Sequence, residues 1–169
     1  MDRETKTAAE LPKRKNNRLK CYDYSENGGY FITICTEQRK PLLSRIADIA
    51  VSHTGNAVYQ PIPKITLTEI GSIVADAISE IPKRYEGVFV DASVIMPNHV
   101  HMIVTNAEGE DISKKLQAWK SLITRQIGSS IWQRTFYDHV IRDEEDFRIR
   151  WKYIDDNPAK WALDKYYQR

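Results

Sequence analysis

The chain has 169 residues, of which 41% are hydrophobic and 28% are charged, and its net charge is +2. This composition is typical of one globular domain with a hydrophobic core, and it excludes a low-complexity chain. No stretch approaches the roughly 20 apolar residues that a membrane span needs, and the N-terminus has no apolar secretory core. We therefore expect a cytoplasmic protein without a membrane partner.

The charges are distributed unevenly along the chain. Residues 1–20 carry seven Lys or Arg against three acids, and residues 113–135 carry five basic residues and no acid. Residues 1–27 have few apolar side chains and predict a flexible basic arm, with residues 28–169 forming one domain. Two basic segments in a nearly neutral chain favour a polyanion as partner.

The predicted domain begins with a strand and a helix. Gly28 and Gly29 precede YFITICT, whose β-branched and aromatic residues predict a strand. Residues 37–67 are mixed, with a short strand expected at IADIAV, and we interpret them as an insertion. IGSIVADAISEI then has apolar residues at helical spacing, with Thr68 as N-cap and Pro82 at its end.

A predicted hairpin and a second helix follow. VFVDASVIM and HVHMIVTN predict two strands that pair across a tight turn at Pro97 and Asn98. ISKKLQAWKSLITRQI predicts an amphipathic helix, because its large apolar residues fall within a stripe about 80° wide at 100° per residue. We assign Trp119 of this stripe to the core.

The last predicted elements complete an α+β pattern. SIWQRTFYDHVI predicts a fourth strand, and the acidic residues 143–146 open a helix with Phe147, Trp151 and Ile154 on its core face. Pro158 is expected to end this helix or to begin a last short one. The element order is close to the βαββαβ pattern. It predicts a ferredoxin-like fold, with a central antiparallel sheet of four to five strands and helices mainly on one face.

Two of the four histidines lie one residue apart in the apolar stretch VIMPNHVHMIV. Strand alternation directs His99 and His101 to one face, while Val100, Met102 and Val104 fill the core on the other. We expect the imidazoles to face outward, close enough to share one divalent ion. The alternative is that both are polar residues on a solvated strand face, and a metal site needs a third ligand.

The candidate for that ligand lies in WKYIDDNP on the last helix. Tyr153 and Asn157 are spaced i, i+4 and share a polar stripe with Asp146 and Arg150, either of which could influence the tyrosine. Two simpler explanations remain open. Asn157 could be an N-cap before Pro158, and Tyr153 could pack at the margin of the core with its hydroxyl in water.

Together, MPNHVHMIV, the helix containing WKS, WQRTFYDHVIRDEEDF and YIDDNP resemble the single-tyrosine HUH transposases, and among them the REP-associated tyrosine transposases. The resemblance runs from about residue 16 to about residue 163. It implies a ferredoxin-like sheet with the histidine strand at its centre. It also implies a metal-dependent endonuclease and strand transferase that cuts single-stranded DNA, usually beside a hairpin, through a 5′-phosphotyrosine intermediate.

The resemblance also implies roles for individual residues. His99 and His101 match the metal ligands, Tyr153 matches the nucleophile, and Asn157 matches the amide that completes a site for Mg²⁺ or Mn²⁺. The expected partner is single-stranded or hairpin DNA in the nucleoid, bound by a monomer or a homodimer. The candidate DNA contacts, each of which could also be a solvated surface residue, are Lys114, Lys115, Lys120 and Arg125, with Arg14, Lys15 and Arg18 in the arm.

Two other functions remain compatible with the sequence. One is a nucleic-acid-binding module of the same fold without catalysis, and the other is a hydrolase that uses a metal at the histidine pair and a water nucleophile. All four motif residues are present, which favours the transposase. We interpret His139 as structural.

Overall fold

A computed structural model of the chain describes residues 23–48 and 63–161. Most of the predicted arm, with Arg14, Lys15 and Arg18, and the turns expected between residues 49 and 62 lie outside the described residues. Besides a short 3₁₀ turn at Glu37–Arg39, the elements are β1 (Gly28–Cys35), β2 (Ser44–Asp48), β3 (Pro63–Leu67), α1 (Glu69–Ser79), α2 (Ile81–Arg84), β4 (Val88–Met96), β5 (His99–Asn106), α3 (Ile112–Ile127), β6 (Tyr137–Ile141) and α4 (Glu144–Lys160).

The central sheet has the strand order β4-β5-β1-β6, and every neighbouring pair is antiparallel. This is the order of a βαββαβ fold, so the predicted α+β ferredoxin-like class is confirmed. The histidine strand β5 is central, between β4 and β1. β2 and β3 pair as a separate two-stranded sheet within the predicted insertion.

One face of the central sheet is covered by α1, α2 and α3. α1 begins as predicted, because the hydroxyl of Thr68 accepts a hydrogen bond from the backbone N–H of Gly71 at 3.0 Å. Trp119 of α3 is 2% exposed and donates from its indole nitrogen to the carbonyl of Ala77, which confirms its place in the core. The sheet contributes alternate residues to this core, namely Tyr30, Ile32, Ile34, Val100, Met102 and Val104.

The opposite face of the sheet is covered by α4. Ile154 and Trp161 pack there against Phe31 of β1 and Ile103 of β5. The histidines point to this face, as alternation requires, but they do not face outward to solvent as expected. The sequence shows the alternation of β5 but not where the last helix packs.

The course of α4 corrects three further predictions. The helix continues through Pro158 to Lys160, so Asn157 lies within it and is not an N-cap. Trp151 is 40% exposed and lies outside the core. The face that meets the sheet is rotated toward the polar stripe, with the least exposed positions at Ile154, Asn157 and Trp161.

Two chain segments also differ from the prediction at their ends. β6 is shorter than the predicted fourth strand, although Trp132 ahead of it forms a bridge with Thr36. The last residues of the predicted arm are tied to the domain, because the hydroxyl of Tyr24 donates to Asp138 and its carbonyl accepts from Ile112. Within the described ranges, no helix has the length and apolar character needed to cross a bilayer.

Candidate active site

The site is built on the central strand β5. His99 and His101 are 4% and 5% exposed, and their ring centroids lie 4.5 Å apart with the planes at 74°. In the strand register, Cys35 lies opposite His99 and Thr33 lies opposite His101. The same backbone alternation that fills the core on one side therefore brings two imidazoles side by side on the other.

Hydrogen bonds orient both rings through Nδ1. His99 Nδ1 donates to the side-chain oxygen of Asn98 at 2.6 Å, and His101 Nδ1 bonds the hydroxyl of Thr33 at 2.8 Å. A histidine that donates from Nδ1 keeps a lone pair on Nε2, which is the usual arrangement of a metal-ligating imidazole with an outer-shell partner.

Burial also controls the charge of His101. The pKa of His101 is lowered to about 2, first because burial penalises the charged ring and then because His99 and Arg39 are close. The His101 imidazole is therefore neutral at physiological pH, which is the state that binds a metal.

Tyr153 extends from α4 over the histidine pair. Its ring meets the ring of His101 edge-on at 5.2 Å between centroids, and it meets Phe31 at 5.6 Å. Tyr153 is nevertheless 43% exposed. The aromatic ring is thus positioned by two neighbours while part of it reaches solvent, where a substrate can approach.

Asn157 lies one turn beyond Tyr153 and one turn before Trp161. Tyr153 contacts His101, and the Trp161 ring lies 6.5 Å from that of His99. Asn157, 9% exposed, therefore occupies the stretch of α4 that faces the histidine pair.

The two histidines alone provide too few ligands for a divalent ion, so the side-chain amide of Asn157 would have to take part. Within the described ranges, no group of three or more His, Cys, Asp or Glu side chains could hold a metal ion. The two imidazoles of His99 and His101, joined by the side-chain oxygen of Asn157, would make a mixed nitrogen and oxygen set of the kind that Mg²⁺ or Mn²⁺ accepts.

A hydrogen-bonded network adjoins the tyrosine. Asp146 Oδ2 bonds His139 Nε2 at 2.6 Å, and Asp146 Oδ1 accepts from Arg150 Nε at 3.0 Å. These bonds, that from His139 foremost, hold the pKa of the Asp146 carboxyl below its usual value. The guanidinium of Arg150 lies 5.8 Å from the ring centroid of Phe31, the residue that also contacts Tyr153.

The predicted DNA contacts of α3 lie at two places along the helix, its first turn and the groove beside its second half. Lys114 and Lys115 lie in its first turn and pair with Asp111 and Glu110. Lys120, 9% exposed, donates to the carbonyls of Gln133 and Arg134, at 2.6 and 3.1 Å, respectively. These internal bonds give the ammonium of Lys120 a structural role, and its contact with a phosphate stays a prediction.

Arg125 lies at the other end of α3, in an open groove. The groove has a volume of about 820 Å³ and lies between α3 and residues 130–135. None of the described residues that line it is acidic, and its polar and basic lining includes Gln117, Lys120, Ser121, Arg125, Gln133 and Arg134.

Three neighbours of the histidines were not identified from the sequence. Asn98 and Thr33 orient the rings, and Phe31 contacts both His101 and Tyr153. Asn98 is adjacent in sequence, so its role could have been suspected. Thr33 and Phe31 depend on the pairing register of two strands about 70 residues apart, for which the sequence carries no local signal.

Known proteins resemble the chain in sequence. No family model matches the chain. The chain is 28% identical over 190 residues to an uncharacterized protein of Haemophilus influenzae, a match that covers 96% of the chain and 98% of that protein. It is also 38% identical over 80 residues to the REP-associated tyrosine transposase of Escherichia coli, which covers 46% of the chain and about half, 48%, of that protein.

The fold has a relative among solved structures as well. A REP-associated tyrosine transposase bound to a REP hairpin superposes with a TM-score of 0.64 and 26% sequence identity, over 88% of this chain and 76% of that one. In sequence and in fold, the chain is a relative of the REP-associated tyrosine transposases.

Proposed function

We propose that the protein is a metal-dependent endonuclease and strand transferase that cuts single-stranded DNA beside a REP-like hairpin, with Tyr153 as the nucleophile. One observation carries the proposal: the Tyr153 ring lies 5.2 Å from that of His101, which lies 4.5 Å from that of His99. The relationship to transposases supports it, and the hairpin held by the solved relative suggests the class of DNA.

The proposed reaction exchanges one phosphodiester for another. The hydroxyl oxygen of Tyr153 attacks the phosphorus, the bond to the 3′ oxygen breaks, and that oxygen takes a proton and leaves as a 3′-hydroxyl. The phenol proton passes to solvent. The resulting 5′-phosphotyrosine keeps the energy of the cleaved bond, so the reverse step can join strands without a nucleotide cofactor.

We assign the metal site to His99, His101 and Asn157. A bound Mg²⁺ or Mn²⁺ would polarise the scissile phosphate and stabilise the charge that develops on it. The chain supplies rings held in place by Asn98 and Thr33, and a tyrosine held over them by Phe31. A fixed nucleophile reduces the entropy cost of an in-line attack.

A second DNA contact is assigned to the groove beside α3, the helix on the opposite face of the sheet from Tyr153. Arg125 and Arg134 are exposed there and are the phosphate contacts we assign to it, whereas Lys120, which also lines the groove, is largely buried. We expect Arg125→Gln to weaken hairpin binding to a similar extent for all sequences and to lessen its salt dependence.

The test is covalent capture of labelled DNA. The protein is incubated with a labelled single-stranded oligonucleotide that carries a hairpin, with Mn²⁺ or Mg²⁺, and run on a denaturing gel. We expect a DNA–protein adduct that requires the metal and is lost in Tyr153→Phe. Tyr137→Phe is the matched control, because Tyr137 is equally exposed at 43% and lies on the neighbouring β6.

The other outcomes favour the alternative functions. Cleavage that survives Tyr153→Phe would indicate a hydrolase with a water nucleophile. Binding of the hairpin with no cleavage in either metal would indicate a module without catalysis. If Tyr137→Phe loses the adduct as completely as Tyr153→Phe does, Tyr153 is not the specific nucleophile.

A further inference from the structure

We propose that Arg150 binds a phosphate of the DNA strand beside the one that Tyr153 attacks, and that Asp146 and His139 hold the arginine in place. The inference rests on the proposed function, because it concerns the strand that enters the same site. It assigns a binding role to a network outside the metal ligands and the nucleophile.

The position of Arg150 on α4 is the first step. It lies three residues before Tyr153, so both side chains share one side of the helix. Its guanidinium is 5.8 Å from the centroid of Phe31, and the Phe31 ring is 5.6 Å from that of Tyr153. The cation and the proposed nucleophile therefore border the same aromatic ring.

The other basic residues of α4 differ from Arg150 in their environment. Arg148 pairs with Glu144 one turn earlier, with side chains 75% and 78% exposed, and the side chains of Lys152 and Lys160 are 77% and 60% exposed. The Arg150 side chain is 31% exposed and its carboxylate partner 16%. Arg150 is thus the basic residue of α4 that is partly buried at the site.

The network orients the guanidinium and leaves donors for a ligand. In the described part of the chain, the guanidinium forms its hydrogen bond through Nε, to Asp146 Oδ1. The terminal amino groups can then donate to a phosphate, for which the planar fork of arginine is well suited. Fixing the side chain in advance lowers the entropy cost of binding.

The negative charge of Asp146 does not prevent Arg150 from binding a phosphate. The other oxygen of Asp146 bonds His139 at 2.6 Å and the backbone N–H of Arg142 at 3.4 Å. The negative charge is therefore shared among three donors, which reduces its repulsion of an approaching phosphate. His139, exposed at 37% of its side chain, lies opposite Phe31 in the strand register and thus on the same face.

The test measures DNA binding without chemistry. The affinity of a fluorescent single-stranded hairpin oligonucleotide is measured in EDTA over a range of NaCl concentrations, in a Tyr153→Phe background. We expect Arg150→Gln to weaken binding about tenfold, as for the loss of one charge-assisted contact. The slope of log affinity against log salt should fall by about 0.7, the value for one phosphate on a single strand.

Two further variants separate a phosphate contact from a structural role. Arg148→Gln removes an equal charge from the exposed side of α4 and is expected to leave affinity and slope unchanged. Arg150→Lys keeps the charge but not the fork, so the slope should persist while affinity falls severalfold. If Arg150→Gln does not fold, as judged by circular dichroism, an unchanged affinity in Arg150→Lys overturns the proposal.

The measured salt dependence of binding does not depend on whether Tyr153 forms an adduct with the DNA. A wild-type slope in folded Arg150→Gln would overturn the phosphate contact even if the adduct forms. A reduced slope in Arg150→Gln would support the contact even if no adduct forms in any metal, a result that would defeat the proposed function alone.

Discussion

The two faces of the central sheet are both buried, but their residues differ in kind. Under α1 and α3 the sheet presents aliphatic and aromatic side chains such as Ile32 and Met102. Under α4 it presents His99, His101 and Thr33 beside apolar residues. Buried polar groups cost free energy unless they are bonded, and here the rings bond Asn98 and Thr33.

Because of this difference, we expect the two faces to contribute unequally to the stability of the fold and to ligand binding. The face under α1 and α3 carries the larger of the two apolar clusters. The face under α4 carries groups that a purely structural core would not select, and it leaves Tyr153 half exposed above them. We therefore expect substitutions on the first face to change mainly the free energy of unfolding, and substitutions on the second to change mainly ligand binding.

The largest expected effect is on the first face. Trp119→Ala should lower the free energy of unfolding by about 3–5 kcal/mol, because it leaves a cavity under the sheet. Trp151→Ala is the matched control on α4, where the ring is 40% exposed, and should cost less than about 1 kcal/mol. Urea denaturation followed by circular dichroism measures both, and equal losses would contradict the comparison.

The second prediction concerns metal at the histidine face. Mn²⁺ at about 100 times its dissociation constant should raise the free energy of unfolding of the wild type by about 2.7 kcal/mol. His101→Ala removes a proposed ligand and should show no such rise, while His139→Ala, which is not a proposed ligand, should keep it. Thermal melts with and without Mn²⁺ make the measurement, and an equal rise in His101→Ala would exclude this site.

The third prediction tests the structural role of a lysine. Lys120→Met should lower the free energy of unfolding by about 1–3 kcal/mol, because the carbonyls of Gln133 and Arg134 lose their donor. Lys114→Met should change it by less than about 0.5 kcal/mol, since the Lys114 side chain is 81% exposed. An unchanged free energy of unfolding in Lys120→Met would contradict the structural role of this lysine.

The smallest expected effect depends on pH. The Asp146 carboxyl has a lowered pKa in the folded protein, so its bonds stabilise the fold above the ordinary carboxyl pKa and are lost as the pH falls through the lowered value. Asp146→Asn should lower the melting temperature by about 2–6 °C at pH 7. The difference in melting temperature between Asp146→Asn and the wild type should shrink in acid. A difference that stays constant from pH 7 to pH 2 would contradict this prediction.

The sequence by itself determined much of this protein. Periodicity predicted β1, α1, β4, β5 and α3, because each buries one regular face and turn or capping residues mark several of its ends. Alternation in β5 also placed both histidines on one face, opposite Val100 and Met102. The element order was enough for the fold class, since few topologies accommodate βαββαβ.

Only the tertiary structure decided how the site is assembled. The polar and apolar stripes of α4 adjoin, so its sequence does not show which side meets the sheet, and the prediction placed Trp151 inside. The structure places Tyr153 beside His101 and buries Asn157 one turn farther along α4, and strand register adds Thr33 and Phe31. Packing angles and register depend on contacts between segments distant in sequence, and local patterns do not encode them.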